Sequence, residues 1–164
     1  MARGVSVPGR VKGASGSRAG CLPDGLAEEV TGALVEADQQ LVKVHGMYLQ
    51  DDRDLRSERT RKKMEKAFAF MIRVRIPGGV LTTAQWLALD QVARDYGNNT
   101  MRLTTRQTVQ LPGIIKSNLK SPLKKIDAVL LGSIAACGDV TRHLMCGPHP
   151  NTTRAPPQAP APPR

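Results

Sequence analysis

The stretch MRLTTRQTVQLPG, residues 101–113, spaces two arginines in a way that is typical of a ligand-binding surface. A strand places alternate residues on one face. That polar face would carry Arg102, Thr104, Arg106, Thr108 and Gln110. It contains two guanidinium groups and no acid. Because arginine binds carboxylate or phosphate through a planar fork and keeps its charge, the pattern predicts an anionic ligand.

A second strand-like segment, FAFMIRVRI over residues 68–76, repeats the arrangement. Alternation predicts an apolar face that ends at Ile76, and it places Arg73 and Arg75 on the opposite face. Like charges on neighbouring strands cost up to about 1 kcal/mol, unless an anion lies among them. The alternative is that each arginine reaches water or pairs with the acids of residues 51–58. That alternative is strongest for Arg75.

Capping and turn residues between these strands predict the helices and the hairpin that position them. Thr82 and Gln85 form a capping box for a helix that Gly97 ends. A tight hairpin turns near residues 105–107, and Ser121 caps a second helix. The order predicts an α+β fold, a ferredoxin-like half-domain of β-α-β-β-α plan with an antiparallel sheet and both helices on one face. A weak final strand is expected over residues 139–145.

Composition divides the 164 residues into five expected segments. Both ends are rich in Gly, Ser or Pro and are predicted to be disordered. A helical, charged segment precedes the half-domain, with one helix from Asp24 to about Val44 and a solvated helix within 45–67 that pairs Glu58 with Lys62. The predicted segments are a tail over 1–23, the charged segment over 24–67, the half-domain over 68–135, the start of a further domain over 136–146, and a tail over 147–164.

The net charge of +10 favours an anionic partner. Three cysteines without a C-x-x-C pair suit a reducing compartment and are too few for a four-thiolate iron–sulfur site. No apolar run approaches the length of about 20 residues that a membrane span needs. We therefore expect a cytoplasmic protein without a membrane partner or metal ligands. The Arg and Ser bias of residues 1–23 leaves a plastid as the alternative.

Four blocks resemble one family in their order and spacing: HGMYLQDDRDLR (45–56), FMIRVRIPGGVLTTAQW (70–86), MRLTTRQTVQLPGIIKSNLK (101–120) and AACGDVTRHLMC (135–146). They are similar to the amino-terminal part of the hemoprotein of the sirohaem-dependent nitrite and sulfite reductases. The resemblance implies six-electron reduction of sulfite to sulfide at sirohaem, which is coupled to an iron–sulfur cluster. Nitrite is the rival substrate, and QDDRD favours sulfite. A flavoprotein or ferredoxin would donate the electrons.

The resemblance also implies roles for individual residues. Arg73 and Arg142 match arginines that meet the substrate anion. The match assigns the sirohaem carboxylates, eight in number, to Arg102, Thr104, Arg106 and Gln110.

Departures from the family pattern occur at Leu49, Pro112, Thr141 and His143, and the last two flank Arg142. The family's cluster cysteines and its second half-domain are absent from this sequence. The Pro-rich end after Cys146 resembles a changed reading frame or a truncated gene. We therefore expect a fragment that is inactive alone and binds sirohaem weakly.

Two other readings stay open. A small basic nucleic-acid-binding module shares the fold plan, but its strands would stack bases on aromatic residues, and the polar face here has none. An inert remnant without a selected role is the second.

Overall fold

A computed structural model describes residues 22–136 and Met145. The described part contains five α-helices, four strands and two short 3-10 turns. The helices are α1 (Leu22–Ala27), α2 (Glu36–Val44), α3 (Arg53–Arg61), α4 (Thr83–Tyr96) and α5 (Lys120–Ala128). The strands are β1 (Met47–Asp51), β2 (Phe68–Val74), β3 (Arg102–Leu103) and β4 (Val109–Ile114), and the 3-10 turns are Pro77–Gly79 and Lys116–Asn118.

The four strands form one antiparallel sheet in the order β1-β2-β4-β3. Strands β2, β3 and β4 with helices α4 and α5 make the β-α-β-β-α plan, in which β4 lies between β2 and β3. The expected α+β class and ferredoxin-like half-domain are therefore confirmed. The position beside β2 is filled by β1, which comes from upstream in the chain.

The core lies between the helices and one face of the sheet. Strand residues Ile72, Val74, Val109 and Leu111 share a buried cluster with Leu89 of α4. Burying each such side chain contributes about 1.5–3 kcal/mol, so this face is the main source of stability. The helices thus cover one side of the sheet, and the residues that alternate with the core positions project from the other.

Helix α4 begins as the sequence predicts. Thr82 Oγ1 accepts from the backbone N–H of Gln85 at 3.2 Å, and Gln85 Oε1 accepts from the N–H of Thr82 at 3.0 Å. Helix α5 begins slightly earlier than predicted, because Lys120 is already helical and no side chain caps its start. Ser121 as N-cap was therefore wrong, within the usual uncertainty of helix boundaries.

The single helix expected from Asp24 to Val44 is wrong, because α1 and α2 are separate. Between them, Thr31 and Gly32 bind the Glu65 side chain: the Thr31 hydroxyl donates to Oε1, and the Gly32 N–H donates to Oε2 at 3.3 Å. Val30, Thr31 and Gly32 are poor helix formers. The Glu65 carboxylate, 33 residues after Gly32 in the chain, accepts a hydrogen bond from Gly32 and so stabilises the non-helical segment between α1 and α2.

The charged segment is only partly helical. Residues Met47–Asp51 form strand β1, with Met47 opposite Ile72 and Leu49 opposite Phe70. Helix α3 follows, capped by the Asp52 side chain, and the expected Glu58–Lys62 pair is confirmed at 2.5 Å. Strand β1 was missed because an alternating pattern of only five residues is difficult to recognise beside a long run of charged residues. The strand expected at 139–145 lies almost wholly outside the described residues.

Candidate functional site

The helix-free face of the sheet brings together two of the arginines that the sequence singled out. Arg73 on β2 is the register partner of Gln110 on β4, and Gln110 is the partner of Arg102 on β3. Directly opposed residues of antiparallel strands lie on the same face, with Cβ atoms about 4.5–5.5 Å apart. We call Arg73, Gln110 and Arg102 the open-face row. Its two cations flank one neutral amide.

Arg73 is half-buried and held on two sides. Its Cζ atom lies 5.8 Å from the centroid of the Tyr48 ring, within cation–π range. With the Gln110 amide turned so that its oxygen faces the guanidinium, Oε1 accepts from Nε at 3.2 Å and from Nη2 at 2.5 Å. Arg73 therefore has neutral partners, and its full positive charge stays available.

Arg102 and Arg106 are exposed, and neither forms a salt bridge with any residue in the described part of the chain. Arg102 sits at the edge of the sheet, whereas Arg106 lies in the turn that joins β3 to β4. The row and the turn therefore present three guanidinium groups that no described acid neutralises.

Thr104 organises this turn. Its N–H donates to the Thr108 carbonyl at 2.9 Å, and its Oγ1 accepts from the N–H of Arg106 at 3.3 Å and of Thr108 at 3.4 Å. The chain reverses with Gln107 in the left-handed region at φ 57°. The hairpin expected near residues 105–107 is confirmed. Accepting these bonds leaves the Thr104 hydroxyl hydrogen free to donate to a ligand.

Thr108 does not join the ligand face, so that part of the prediction was wrong. The side chain is 2% exposed and its hydroxyl donates to the Val74 carbonyl. A continuous strand would alternate through residues 102–110, but the turn interrupts the alternation. The sequence pattern is therefore reliable only on either side of the turn.

A glycine turn supports the hairpin, and sequence reasoning treated it only as a strand end. Gly78 and Gly79 both have positive φ, 65° and 71°. A Cβ on Gly79 would lie 2.7 Å from the Gln107 Cβ, which is closer than such atoms approach. The Pro77-Gly78-Gly79 sequence after β2 was the available signal: two adjacent glycines permit a left-handed, closely packed turn.

The remaining arginines of the prediction are placed differently. Arg75 is exposed, its N–H donates to the Gly132 carbonyl at 2.6 Å, and it makes no ion pair with the described acids of residues 51–58. Arg142, the expected companion of Arg73, lies outside the described residues, as do Thr141 and His143. The half of the site that Arg142 would form is therefore a prediction only.

Two acids near the start of β2 are hydrogen-bonded to other partners. Asp51 accepts from Arg56 Nε at 2.7 Å and from Nη2 at 2.8 Å. This hydrogen-bonded pair lowers the pKa of the Asp51 carboxyl below its ordinary value. Glu65 binds Thr31 and Gly32, and these hydrogen bonds likewise lower its pKa. Among the described residues, no acid forms a salt bridge with the open-face row.

The residues present fit a planar polycarboxylate. Cations project from the open sheet face, where Arg73 and Arg102 flank Gln110. Carboxylates at the periphery of a ring would reach these arginines. Within residues 22–136, no group of three His, Cys, Asp or Glu side chains is placed to hold a metal ion. No helix of this region is long and apolar enough to cross a membrane.

Comparison with known proteins agrees with the resemblance seen in the four blocks. Residues 62–129 match the family described as the nitrite/sulfite reductase ferredoxin-like half domain. A sulfite reductase [NADPH] hemoprotein beta-component of Methylobacterium sp. (strain 4-46) is 61% identical over 154 residues, which is 94% of this chain and 26% of that protein. The corresponding Staphylococcus saprophyticus protein is 53% identical over 86% of this chain and 25% of its own length.

A solved structure supports the fold independently. The Mycobacterium tuberculosis NirA protein superimposes with a TM-score of 0.71 at 24% identity, over 91% of this chain and 28% of that one. These findings describe a ferredoxin-like half-domain with a cationic open face. Residues 62–129 match the half domain of nitrite and sulfite reductases, and the chain as a whole is similar to part of the sulfite reductase hemoproteins. Sirohaem and an iron–sulfur cluster are cofactors of that family. The chain spans about a quarter of the length of the curated relatives it matches.

Proposed function

We propose that this chain supplies one wall of the sirohaem and substrate site of a sulfite reductase. The observation that carries the proposal is the open-face row, in which Arg73, Gln110 and Arg102 stand in register without a neutralising acid among the described residues. Arg73 and Arg102 lie two strands apart, on either side of Gln110, so a single polyanion across the face would contact both through charge-assisted hydrogen bonds.

Each residue has a distinct proposed task. Arg102 and Arg106 donate charge-assisted hydrogen bonds to the ring carboxylates, and Thr104 donates its hydroxyl to the same group of acids. Gln110 retains two amide hydrogens for a carboxylate while its oxygen faces Arg73. Arg73, together with Arg142, holds the oxygens of the substrate anion and stabilises the negative charge that develops on them.

Sirohaem and the cluster, when bound, supply the redox chemistry. The substrate we favour is sulfite, because relatives that are 61% and 59% identical to this chain are named sulfite reductases, with nitrite as the alternative. The same names point to NADPH as the electron source, which a flavoprotein or ferredoxin would relay.

The chain by itself is proposed to bind the tetrapyrrole weakly and not to turn over sulfite. A single open sheet face leaves a bound ring exposed to water on its other side. Water screens charge-assisted contacts, so the interaction of each arginine with a carboxylate is weaker there than in an enclosed site.

Uroporphyrin, a tetrapyrrole with eight carboxylates, tests the carboxylate-binding role without iron or catalysis. Its Soret band is followed while the full chain is titrated at fixed salt concentration. Arg102→Ala and Arg106→Ala should each weaken binding about tenfold, because a hydrogen bond to a charged group contributes about 1.5–3 kcal/mol.

The matched control is Arg94→Ala, which removes the same charge from α4 on the helical side of the sheet. Arg94 is exposed and paired with Asp90 at 2.9 Å. Equal affinity losses in all three variants would show generic attraction to a basic protein, and the proposal would fail. Loss confined to Arg102→Ala and Arg106→Ala would support it.

A further inference from the structure

We propose that Tyr48 and Gln110 are positioning residues that clamp the Arg73 guanidinium from two strands before any ligand arrives. The clamp itself is a property of this chain. Its value for binding the substrate anion rests on the proposed function.

The first residue of the clamp is Tyr48 on β1. Its ring lies 5.8 Å from Arg73 Cζ, and its register partner is Met71, two residues before Arg73. The Arg73 N–H also donates to the Gly46 carbonyl at 2.8 Å, immediately before β1. Strand β1 thus fixes both the backbone and the side chain of Arg73.

Gly46 gives that contact its geometry. It has φ 77°, and a Cβ there would lie 2.0 Å from the Ser133 carbonyl oxygen. The backbone just before β1 therefore packs closely against Ser133, in the segment after α5. The position of Tyr48 relative to Arg73 therefore depends on the packing of β1 against β2 and against the segment that contains Ser133.

The second residue of the clamp is Gln110 on β4. With its amide turned so that the oxygen faces the guanidinium, that oxygen accepts from Nε and Nη2, at 3.2 and 2.5 Å. Two of the five guanidinium N–H groups are thereby used, and three are left for an anion. The acceptor is a neutral amide and not a carboxylate, so Arg73 is oriented without its charge being neutralised.

Such a clamp matters because an arginine side chain loses much conformational freedom when it binds. Prior fixation means that this loss occurs on folding and not on ligand binding. Tyr48 was outside the residues that the sequence singled out, because a tyrosine in a charged segment gives no signal of the neighbour it will contact.

Nitrogen-15 NMR of the Arg73 Nε–Hε group tests the clamp in the full chain without any ligand. The wild type should show one restricted Nε–Hε resonance, slow to exchange with water. Tyr48→Phe keeps the ring and should leave the resonance restricted, whereas Tyr48→Leu keeps apolar bulk and should make it mobile. Gln110→Met should also make it mobile and serves as the second variant if Tyr48→Leu fails to fold.

Titration with sulfite, followed at the same resonance, tests the consequence. Tyr48→Leu should weaken sulfite binding about three- to tenfold, and Tyr48→Phe should stay within about twofold of the wild type. A purely structural role for Tyr48 would not distinguish Phe from Leu in this way.

The two proposals fail in different ways. A mobile Arg73 side chain in the wild type, or equal mobility in Tyr48→Phe and Tyr48→Leu, would overturn the clamp. A restricted Arg73 that sulfite does not shift would support the clamp and remove Arg73 from the proposed substrate site.

Discussion

Two regions of this protein are rich in arginine, and their surroundings differ. In and around α3, cations meet acids: Arg56 binds Asp51 through two nitrogens, and Lys62 binds Glu58. In the open-face row, Arg73 and Arg102 lie on either side of the Gln110 amide, with no salt bridge in the part of the chain that the structure describes.

This difference in charge pairing indicates that α3 is a solvated charged helix and that the open-face row is a ligand-binding surface. No residue of α3 is buried, and its ion pairs are exposed, so salt screens them and they contribute little. The open-face row lies on three hydrogen-bonded strands, and the opposite face of β2 and β4 forms the core. A rigid backbone therefore holds its charges in place, and rigid, unpaired cations are suited to bind an anion.

The largest expected effect comes from making the open-face row resemble α3. Gln110→Glu would place a carboxylate between Arg73 and Arg102, pairing them and repelling the acids of a ligand. Uroporphyrin affinity should fall at least about tenfold, since a charged hydrogen bond is lost and a like charge is added. Gln110→Met is the control for loss of the amide alone and should have a smaller effect. Unchanged affinity in Gln110→Glu would show that the ligand does not bind at the open-face row.

The hairpin that carries the row should be sensitive to its glycine support. Gly79→Ala combines a positive φ with a 2.7 Å approach to Gln107, and should lower the free energy of unfolding by about 1–3 kcal/mol. Gly132→Ala meets no atom within 4 Å and should change it by less than about 0.5 kcal/mol. Urea unfolding of both variants measures the difference. Equal stabilities would show that the turn does not depend on this contact.

Removing an arginine that is already paired should have little effect on ligand binding. Arg56→Ala takes one positive charge from α3 but leaves the open-face row intact. Uroporphyrin affinity should stay within about twofold of the wild type at physiological salt, where the Debye length is about 8 Å. An affinity loss as large as that of Arg102→Ala would mean that total charge, and not the row, attracts the ligand.

The smallest expected effect is a pH dependence confined to the Asp51–Arg56 pair. The hydrogen bond from Arg56 depresses the folded-state pKa of Asp51 below 3.8. Its stabilisation is therefore present above about pH 3.8 and is lost as the pH falls through the folded-state pKa. The Arg56 Nε–Hε resonance should shift over that range, and Asp51→Asn should abolish the shift. A shift that persists in Asp51→Asn would assign the titration to another acid.

Local patterns were sufficient where the chemistry is local. The capping box of Thr82 and Gln85 depends on residues a few positions apart and is found as expected. The hairpin turn and the Glu58–Lys62 pair follow for the same reason. Strand β2 forms where it was predicted, but its burial does not alternate strictly, because Met71 is buried as well. Expectations failed where a distant residue intervenes: Glu65 interrupts the first helix, and pairing with β2 turns residues 47–51 into a strand.

The roles of the site residues divide in the same way. Sequence singled out Arg73, Arg102, Arg106, Thr104 and Gln110 by type and spacing, and the structure puts three of them in one row. It did not foresee that the Thr104 oxygen would organise the turn, or that Tyr48 would contact Arg73. Family resemblance came from long sequence blocks, which carry information that no single pattern holds.

The order of amino acids was sufficient for the charge of each residue and for the start of helix α4, because capping acts within a few residues. Which cations have partners depends on contacts between distant segments of the folded chain. Register across β2, β4 and β3 places Arg73, Gln110 and Arg102 side by side, while the acids bind Arg56 and the Thr31–Gly32 segment instead. Pairing depends on distances of a few ångströms between segments far apart in the chain, and folding is what sets those distances.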